Sequence, residues 1–305
     1  MIHTDLIQSL LEKKIGTQVS KIKPVKTGQI SESYFLEAAG QAYVVRFARA
    51  GMTDTLHKDR YVSSQLVSKD VPVAEFVCVD EFDDRTYALT RRAPGKILDD
   101  YTGEDYERLI PNIIETLNEI HQSDLEGTTG SGNFDARGRG NWASWSDYLR
   151  SVANEEGAEG GLYCRWHHLF DDSFLQRNIF DSIFAEMDSL IHYCPEARYL
   201  VHGDYGYDNV LAENGQITAV IDWANATFGD FLYDVAWLDL GQQWNYADRF
   251  RSFYRERERK ITNVDERLRC YYCHIALDSF KFYAKTNQIT PYRWMVERIK
   301  ALLNN

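Results

Sequence analysis

The tripeptide Ala93-Pro94-Gly95 divides the chain into two stretches whose hydrophobic patterns belong to different architectures. Ahead of it, apolar residues come in short β-favouring runs. Val25 to Glu37 and Gln41 to Phe47 flank the turn Ala39-Gly40, and Phe76 to Val79 and Thr86 to Thr90 flank Asp83-Asp84. Met1 to Lys14 reads as an amphipathic helix, and Lys58 to Lys69 has helical spacing. Behind the tripeptide, Glu104 to Gln122 carries the stripe Leu109, Ile113, Leu117 and Ile120, and a Gly/Ser/Thr-rich loop follows from Gly127 to Gly140. Further helical segments fall at Trp145–Asn154, Phe174–Tyr193 and from Phe231 to the C-terminus. They are interrupted by a hairpin, Val210–Leu211 and Ile217–Ile221, around Asn214-Gly215. The pattern predicts an α+β, two-lobed fold. A small β-rich lobe of five strands with one intervening helix occupies residues 1–92, and a larger helical lobe occupies 93–305. The cleft between them is the expected ligand site.

Charge narrows the partners. The chain has 305 residues and a formal net charge of −12, which speaks against a nucleic-acid binder, since that needs a basic face. The imbalance is local: residues 1–94 carry 13 Lys/Arg against 12 Asp/Glu, whereas 95–305 carry 21 against 34. An acidic half attracts metal ions and amine-rich molecules. No apolar run approaches the roughly 18 residues that span a membrane, and the first residues lack a secretory pattern, so the expected location is the cytoplasm. The five cysteines form no disulfide framework, which suits a reducing compartment. Cys270-Tyr271-Tyr272-Cys273-His274 matches a haem-attachment pattern, but it lies in a long helical stretch and reads as core packing.

The stretch that carries chemistry is Val201-His202-Gly203-Asp204-Tyr205-Gly206-Tyr207-Asp208-Asn209-Val210-Leu211, followed by Ala219-Val220-Ile221-Asp222-Trp223. Phosphoryl transfer needs a carboxylate to position the attacking hydroxyl and take its proton, and hard oxygen ligands for Mg²⁺. Asp204 suits the first role, and Asn209 and Asp222 the second. With these residues the chain resembles the aminoglycoside and choline kinase branch of the protein-kinase-like fold, which writes its catalytic loop H-G-D-x4-N and its metal strand I-D-W. His202 is expected to scaffold the loop and Asp234 to brace it through backbone hydrogen bonds.

The resemblance implies more in the first lobe, with ATP as co-substrate. Thr27-Gly28-Gln29-Ile30-Ser31-Glu32-Ser33 lies where the family covers the ATP phosphates, which makes Gly28 and Ser33 nucleotide contacts. Arg46 stands where the family has a phosphate-binding Lys. Its acidic partner on the next helix is Asp59, where Glu is usual. At the hinge, Thr90 is expected to face the adenine, and the backbones of Arg91 and Ala93 to hydrogen-bond its edge.

Several runs, among them His57-Lys58-Asp59-Arg60-Tyr61-Val62 and Arg91-Arg92-Ala93-Pro94-Gly95, resemble the bacterial hygromycin B phosphotransferases of this branch. That implies a cationic, small-molecule acceptor. Asp208 and Asp239 would suit a polyamine, and Trp244 could stack on a sugar ring; a capping Asp, a solvated helix charge and a core Trp are the alternatives. A kinase of the choline, homoserine or sugar type would carry the same catalytic set.

Overall fold

The computed structural model describes residues 2–25, 31–49, 52–155, 164–241 and 244–303. They form two compact units. One comprises Met1–Glu119, Asp135–Arg137 and Tyr207–Ala224; the other comprises Ile120–Phe134, Gly138–Gly206 and Asn225–Asn305.

The chain opens with helix α1 (Thr4–Ile15), which ends because Gly16 takes the left-handed conformation at φ 78°. Five strands follow: β1 (Val19–Pro24), β2 (Ser31–Ala38), β3 (Gln41–Ala48), β4 (Phe76–Phe82) and β5 (Arg85–Arg91). They make one antiparallel sheet in the order β1-β2-β3-β5-β4. Alternation along β2 sends Tyr34, Leu36 and Ala38 inward, where they meet Val45, Phe47 and Leu89 together with Ile7 and Leu11 of α1. Strand β1 lies outside the four β-favouring runs named above; its sequence VSKIKP buries only Val19, too little apolar alternation to announce a strand. Helix α2 (Thr53–Tyr61) passes into a single π-helical turn at Val62–Leu66, so the helix expected from Lys58 starts earlier and ends sooner.

After the short strand β6 (Lys96–Ile97) comes helix α3 (Gly103–His121), whose buried stripe includes Leu109, Ile113, Leu117 and Ile120, as its spacing predicts. The expected loop from Gly127 to Gly140 instead contains β7 (Ser131–Phe134) and leads into β8 (Gly140–Trp142). These strands join β9 (Tyr199–Val201) and β12 (Thr227–Gly229) in a four-stranded sheet ordered β8-β7-β12-β9. Each has only three or four residues, below the length at which periodicity can be read. Helices α4 (Trp145–Arg150), α5 (Leu169–Asp172) and α6 (Arg177–Leu190) precede β9. Strands β10 (Val210–Glu213) and β11 (Gln216–Val220) form the expected hairpin, with Asn214 and Gly215 both at positive φ, and β6 adds to its other edge. The last helical stretch is four helices: α7 (Leu232–Leu240), α8 (Tyr246–Glu256), α9 (Val264–Lys285) and α10 (Ile289–Leu303). Cys270 and Cys273 lie buried in α9, in keeping with core packing, and among the described residues no helix is long and apolar enough to cross a membrane.

Candidate active site

The β10–β11 hairpin brings two expected metal ligands side by side. Val210 pairs with Val220, so Asn209 and Ile221 lie just beyond the paired end, and the Ile221 N–H donates to the Asn209 carbonyl at 2.9 Å. Asp222 follows at once. Its backbone sits at φ 60°, a left-handed conformation that costs an aspartate on the order of 1–3 kcal/mol and persists only when neighbours hold it. The hairpin is anchored by the Val220 N–H, which donates to Pro72 O at 2.8 Å. An amide oxygen and a carboxylate make a hard donor pair, and among the described residues no three His, Cys, Asp or Glu side chains converge on one point. A pair of this kind fits Mg²⁺, which normally takes one or two protein oxygens and completes its shell with water and phosphate.

Arg46 on β3 and Asp59 on α2 form an ion pair in the same unit. Burial pulls the Arg46 guanidinium down, but the fields of Asp59 and then Asp222 outweigh it and hold Arg46 above its ordinary value. Asp59 serves both neighbours: its other oxygen accepts the Trp223 N–H at 3.4 Å, directly after Asp222. The adjacent Lys58 is 7% exposed and donates from Nζ to the Ala224 carbonyl at 2.9 Å. Burial lowers its ammonium to about 7, against the opposing pull of Asp59. Lys58 was not singled out as a site residue. The available signal is that α2 is polar yet buries a Lys and an Asp in succession, visible only once the sheet beneath it is built.

Ser33 lies directly across from Arg46 in the β2–β3 register. Gly28 lies outside the described residues. Thr90 is buried on β5 with its hydroxyl 3.5 Å from Val44 O. The Arg91 N–H donates to Glu75 O at 2.8 Å, which leaves the carbonyl as its backbone group for a base. Ala93 is half-buried just beyond the strand.

In the second unit, β9 delivers His202-Gly203-Asp204. Gly203 is obligatory: at φ 77°, a Cβ there would stand 2.4 Å from Asn225 O. His202 Nδ1 accepts the Asp204 N–H at 3.2 Å, so the ring shapes the loop. Asp234 on α7 takes the His202 N–H at 2.9 Å and the Gly203 N–H at 2.8 Å, the brace expected of it. His121, at the end of α3, meets Asp234 Oδ2 through Nε2 at 2.9 Å. Sequence reasoning missed His121, since nothing local links it to a loop 81 positions later; it reaches that loop through Asp234, which is 113 positions from it. Asp204 itself is half-buried, and its charge, after burial, helps raise the Tyr283 phenol from α9.

The expected acceptor contacts part ways. Asp208 is exposed on the first unit, and its charge adds to the burial that raises the Asp99 carboxyl. Trp244 is half-buried ahead of α8. Asp239 departs from its expected role. It is 9% exposed, and its carboxylate accepts the Ala247 N–H at 3.0 Å and the Tyr272 hydroxyl at 2.7 Å, which commits it to joining α7, α8 and α9.

The chain resembles known proteins along nearly its whole length. Hygromycin-B 4-O-kinase of Escherichia coli is 30% identical over 306 residues, 99% of this chain and 85% of that protein. Mouse acyl-CoA dehydrogenase family member 11 is 26% identical across 74% of this chain, which spans 28% of that longer protein. A thermostable mutant of aminoglycoside phosphotransferase APH(4)-Ia, solved in a ternary complex with ADP and hygromycin B, superposes with a TM-score of 0.83. It is 29% identical and 98% of each chain is covered. Spectinomycin phosphotransferase APH(9)-Ia, 12% identical with a TM-score of 0.63 over 97% of this chain and 93% of its own, shares the fold alone. The profile of the APH phosphotransferase enzyme family matches residues 21–268. On these matches the chain belongs to the phosphotransferase enzyme family and has its kinase-like α+β fold.

Proposed function

We propose that this protein is an ATP-dependent kinase that phosphorylates a hydroxyl of an aminocyclitol aminoglycoside, hygromycin B first among them, and so protects its host cell from the drug. The observation that carries this reading is the match to hygromycin-B 4-O-kinase across 99% of the chain. In the reaction, the bond from the γ-phosphorus to the ADP oxygen breaks, a bond from the acceptor oxygen to phosphorus forms, and the hydroxyl proton leaves to a base. Asp204 aligns that hydroxyl and takes the proton, and the Asp234 and His202 contacts hold its loop in shape. Arg46, oriented by Asp59, holds the ATP phosphates, and Ser33 lies beside it in the sheet. Thr90, the Arg91 carbonyl and Ala93 meet the adenine, with Gly28 in the segment that covers the phosphates.

Asn209 and Asp222 would hold Mg²⁺, which would supply positive charge to neutralise the ATP phosphates. For the acceptor, Asp208 offers an exposed carboxylate to an amine and Trp244 a ring face to a sugar. The acidic 95–305 stretch adds a general attraction for polycations. The cytoplasm, where ATP is available, is the proposed location.

The test is coupled ADP release with a panel of hygromycin B, other aminoglycosides, a macrolide, choline and neutral sugars. Hygromycin B should give the highest kcat/KM, and an expressing bacterium should tolerate more of it than its parent. Turnover of choline or a sugar with none on any aminoglycoside would replace the acceptor and leave the phosphotransferase chemistry standing.

A further inference from the structure

The turn that carries Asp222 is held from one side by two consecutive residues of α2. Asp59 receives the N–H of the residue after Asp222, and Lys58 donates to the carbonyl of the residue after that. Both contacts fall just after a carboxylate whose backbone is in the left-handed region, a conformation aspartate keeps only under constraint. On its other flank, the Ile221 N–H is fastened to Asn209 O. A lysine is an expensive choice for a site only 7% exposed, because its ammonium must give up water. Methionine or leucine would fill the space without that penalty, so the position is explained by the donor. The Ala224 carbonyl it reaches is 166 positions away in the chain, and the charge on the donor strengthens the bond.

We propose that Lys58 is a positioning residue for the metal-binding carboxylate: its hydrogen bond to Ala224 O keeps the turn closed so that Asp222 stays beside Asn209. The proposal rests on the reading of Asn209 and Asp222 as the Mg²⁺ ligands. It gives α2 a double role. Asp59 sets Arg46 and Lys58 sets Asp222, so the phosphate and metal contacts of this unit are fixed by two neighbouring residues on one helix turn.

The experiment compares wild type with Lys58→Met, Lys58→Arg and Asp222→Ala by two readouts that need no turnover. The first is hydrogen exchange in the ligand-free, metal-free protein. Lys58→Met should speed exchange of the amides at 222–226 by about tenfold while β3 and β5 amides keep their wild-type rates, and Lys58→Arg should restore much of the protection. The second is calorimetry of ADP binding with and without Mg²⁺. Lys58→Met should lose about tenfold of the affinity that Mg²⁺ adds and leave metal-free ADP binding unchanged.

Asp222→Ala separates the two claims. If it retains the Mg²⁺ gain, the metal reading falls. If it loses the gain while Lys58→Met keeps both the gain and slow exchange, the positioning role alone is overturned. Faster exchange spread evenly over the sheet would also overturn it, by showing a general packing role. Should Lys58→Met fail to fold, Lys58→Leu, which likewise fills the space without a donor, takes its place in both measurements with the same outcomes.

Discussion

Arg46 and Asp59 form an ion pair whose side chains keep only 17% and 3% of their surface in solvent. A pair so far from water is held by more than mutual attraction, because each ion has given up its hydration. Asp59 recovers part of that loss from the Trp223 N–H, which ties the pair to the turn after Asp222. Arg46 in turn lies in the field of both Asp59 and Asp222. The arrangement leaves a cation whose geometry is set on one side by carboxylate, which is what a phosphate-binding arginine requires.

Asp59→Asn should therefore weaken nucleotide binding and spare the acceptor. The amide keeps the shape of the side chain and removes the charge that orients Arg46, so the KM for ATP should rise with the KM for the acceptor unchanged. Breaking a buried pair from one side also costs about 3–5 kcal/mol of stability, so the variant should melt well below wild type. Steady-state kinetics in both substrates and a thermal melt check the two halves separately. Unchanged ATP kinetics would return the pair to a purely structural role.

A second expectation concerns the brace under the catalytic loop. Asp234 accepts two backbone N–H groups from His202 and Gly203 and meets His121 as well. Asp234→Asn leaves one of those N–H groups facing an amide hydrogen and unpaired in the interior, a cost of about 1–3 kcal/mol. Because the loop carries Asp204, kcat should fall while the KM for ATP holds. His121→Gln should produce a milder version of the same pattern. A loss confined to KM would separate the brace from the chemistry.

Helix α3 was legible as a helix and the β10–β11 pair as a hairpin, because α3 has a clean apolar stripe and Asn214-Gly215 a turn that few other residues favour. The sheet of β7, β8, β9 and β12 was not, since strands of three or four residues show no period. In the candidate site, the order Asp204, Asn209, Asp222 is visible in the chain itself, and the hairpin sets Asn209 against Ile221, next to Asp222. Lys58 and His121 could not be read there, because each acts through a partner more than a hundred positions away. Asp239 misled for a related reason: a carboxylate near a functional loop looks the same in sequence whether it faces a ligand or caps the start of α8.

Stability should fall in mild acid through His274. Burial, reinforced by Lys281 and opposed by Asp278, lowers this imidazole to about 4, and its Nδ1 meets the Tyr233 hydroxyl at 2.9 Å. The folded state holds His274 neutral while the unfolded chain protonates it near pH 6.5. Protons therefore favour unfolding as pH drops from about 6.5 towards 4. The stabilisation is fully present above pH 6.5, and a shift of this size corresponds to roughly 3 kcal/mol lost by pH 4. Urea melts across that range should show the loss for wild type and a shallower slope for His274→Gln. Equal slopes would assign the acid sensitivity elsewhere.

Salt should act on the acceptor more than on catalysis. Exposed charges such as Asp208 are screened over about 8 Å at physiological ionic strength, so raising salt from roughly 50 to roughly 500 mM should raise the acceptor KM with a smaller change in kcat. Asp208→Asn should flatten that dependence. An acceptor KM indifferent to salt in the wild type would remove charge from the account of selectivity.

The most direct measurement is ADP release in the presence of hygromycin B, with the product examined for one added phosphoryl group, for wild type and Asp204→Ala side by side. The account predicts a phosphorylated product from wild type. It predicts a kcat lower by about 10²- to 10⁴-fold in Asp204→Ala, with ADP affinity by calorimetry nearly unchanged. A variant that keeps half of the wild-type kcat, or a wild-type protein that releases ADP without modifying the drug, would contradict it.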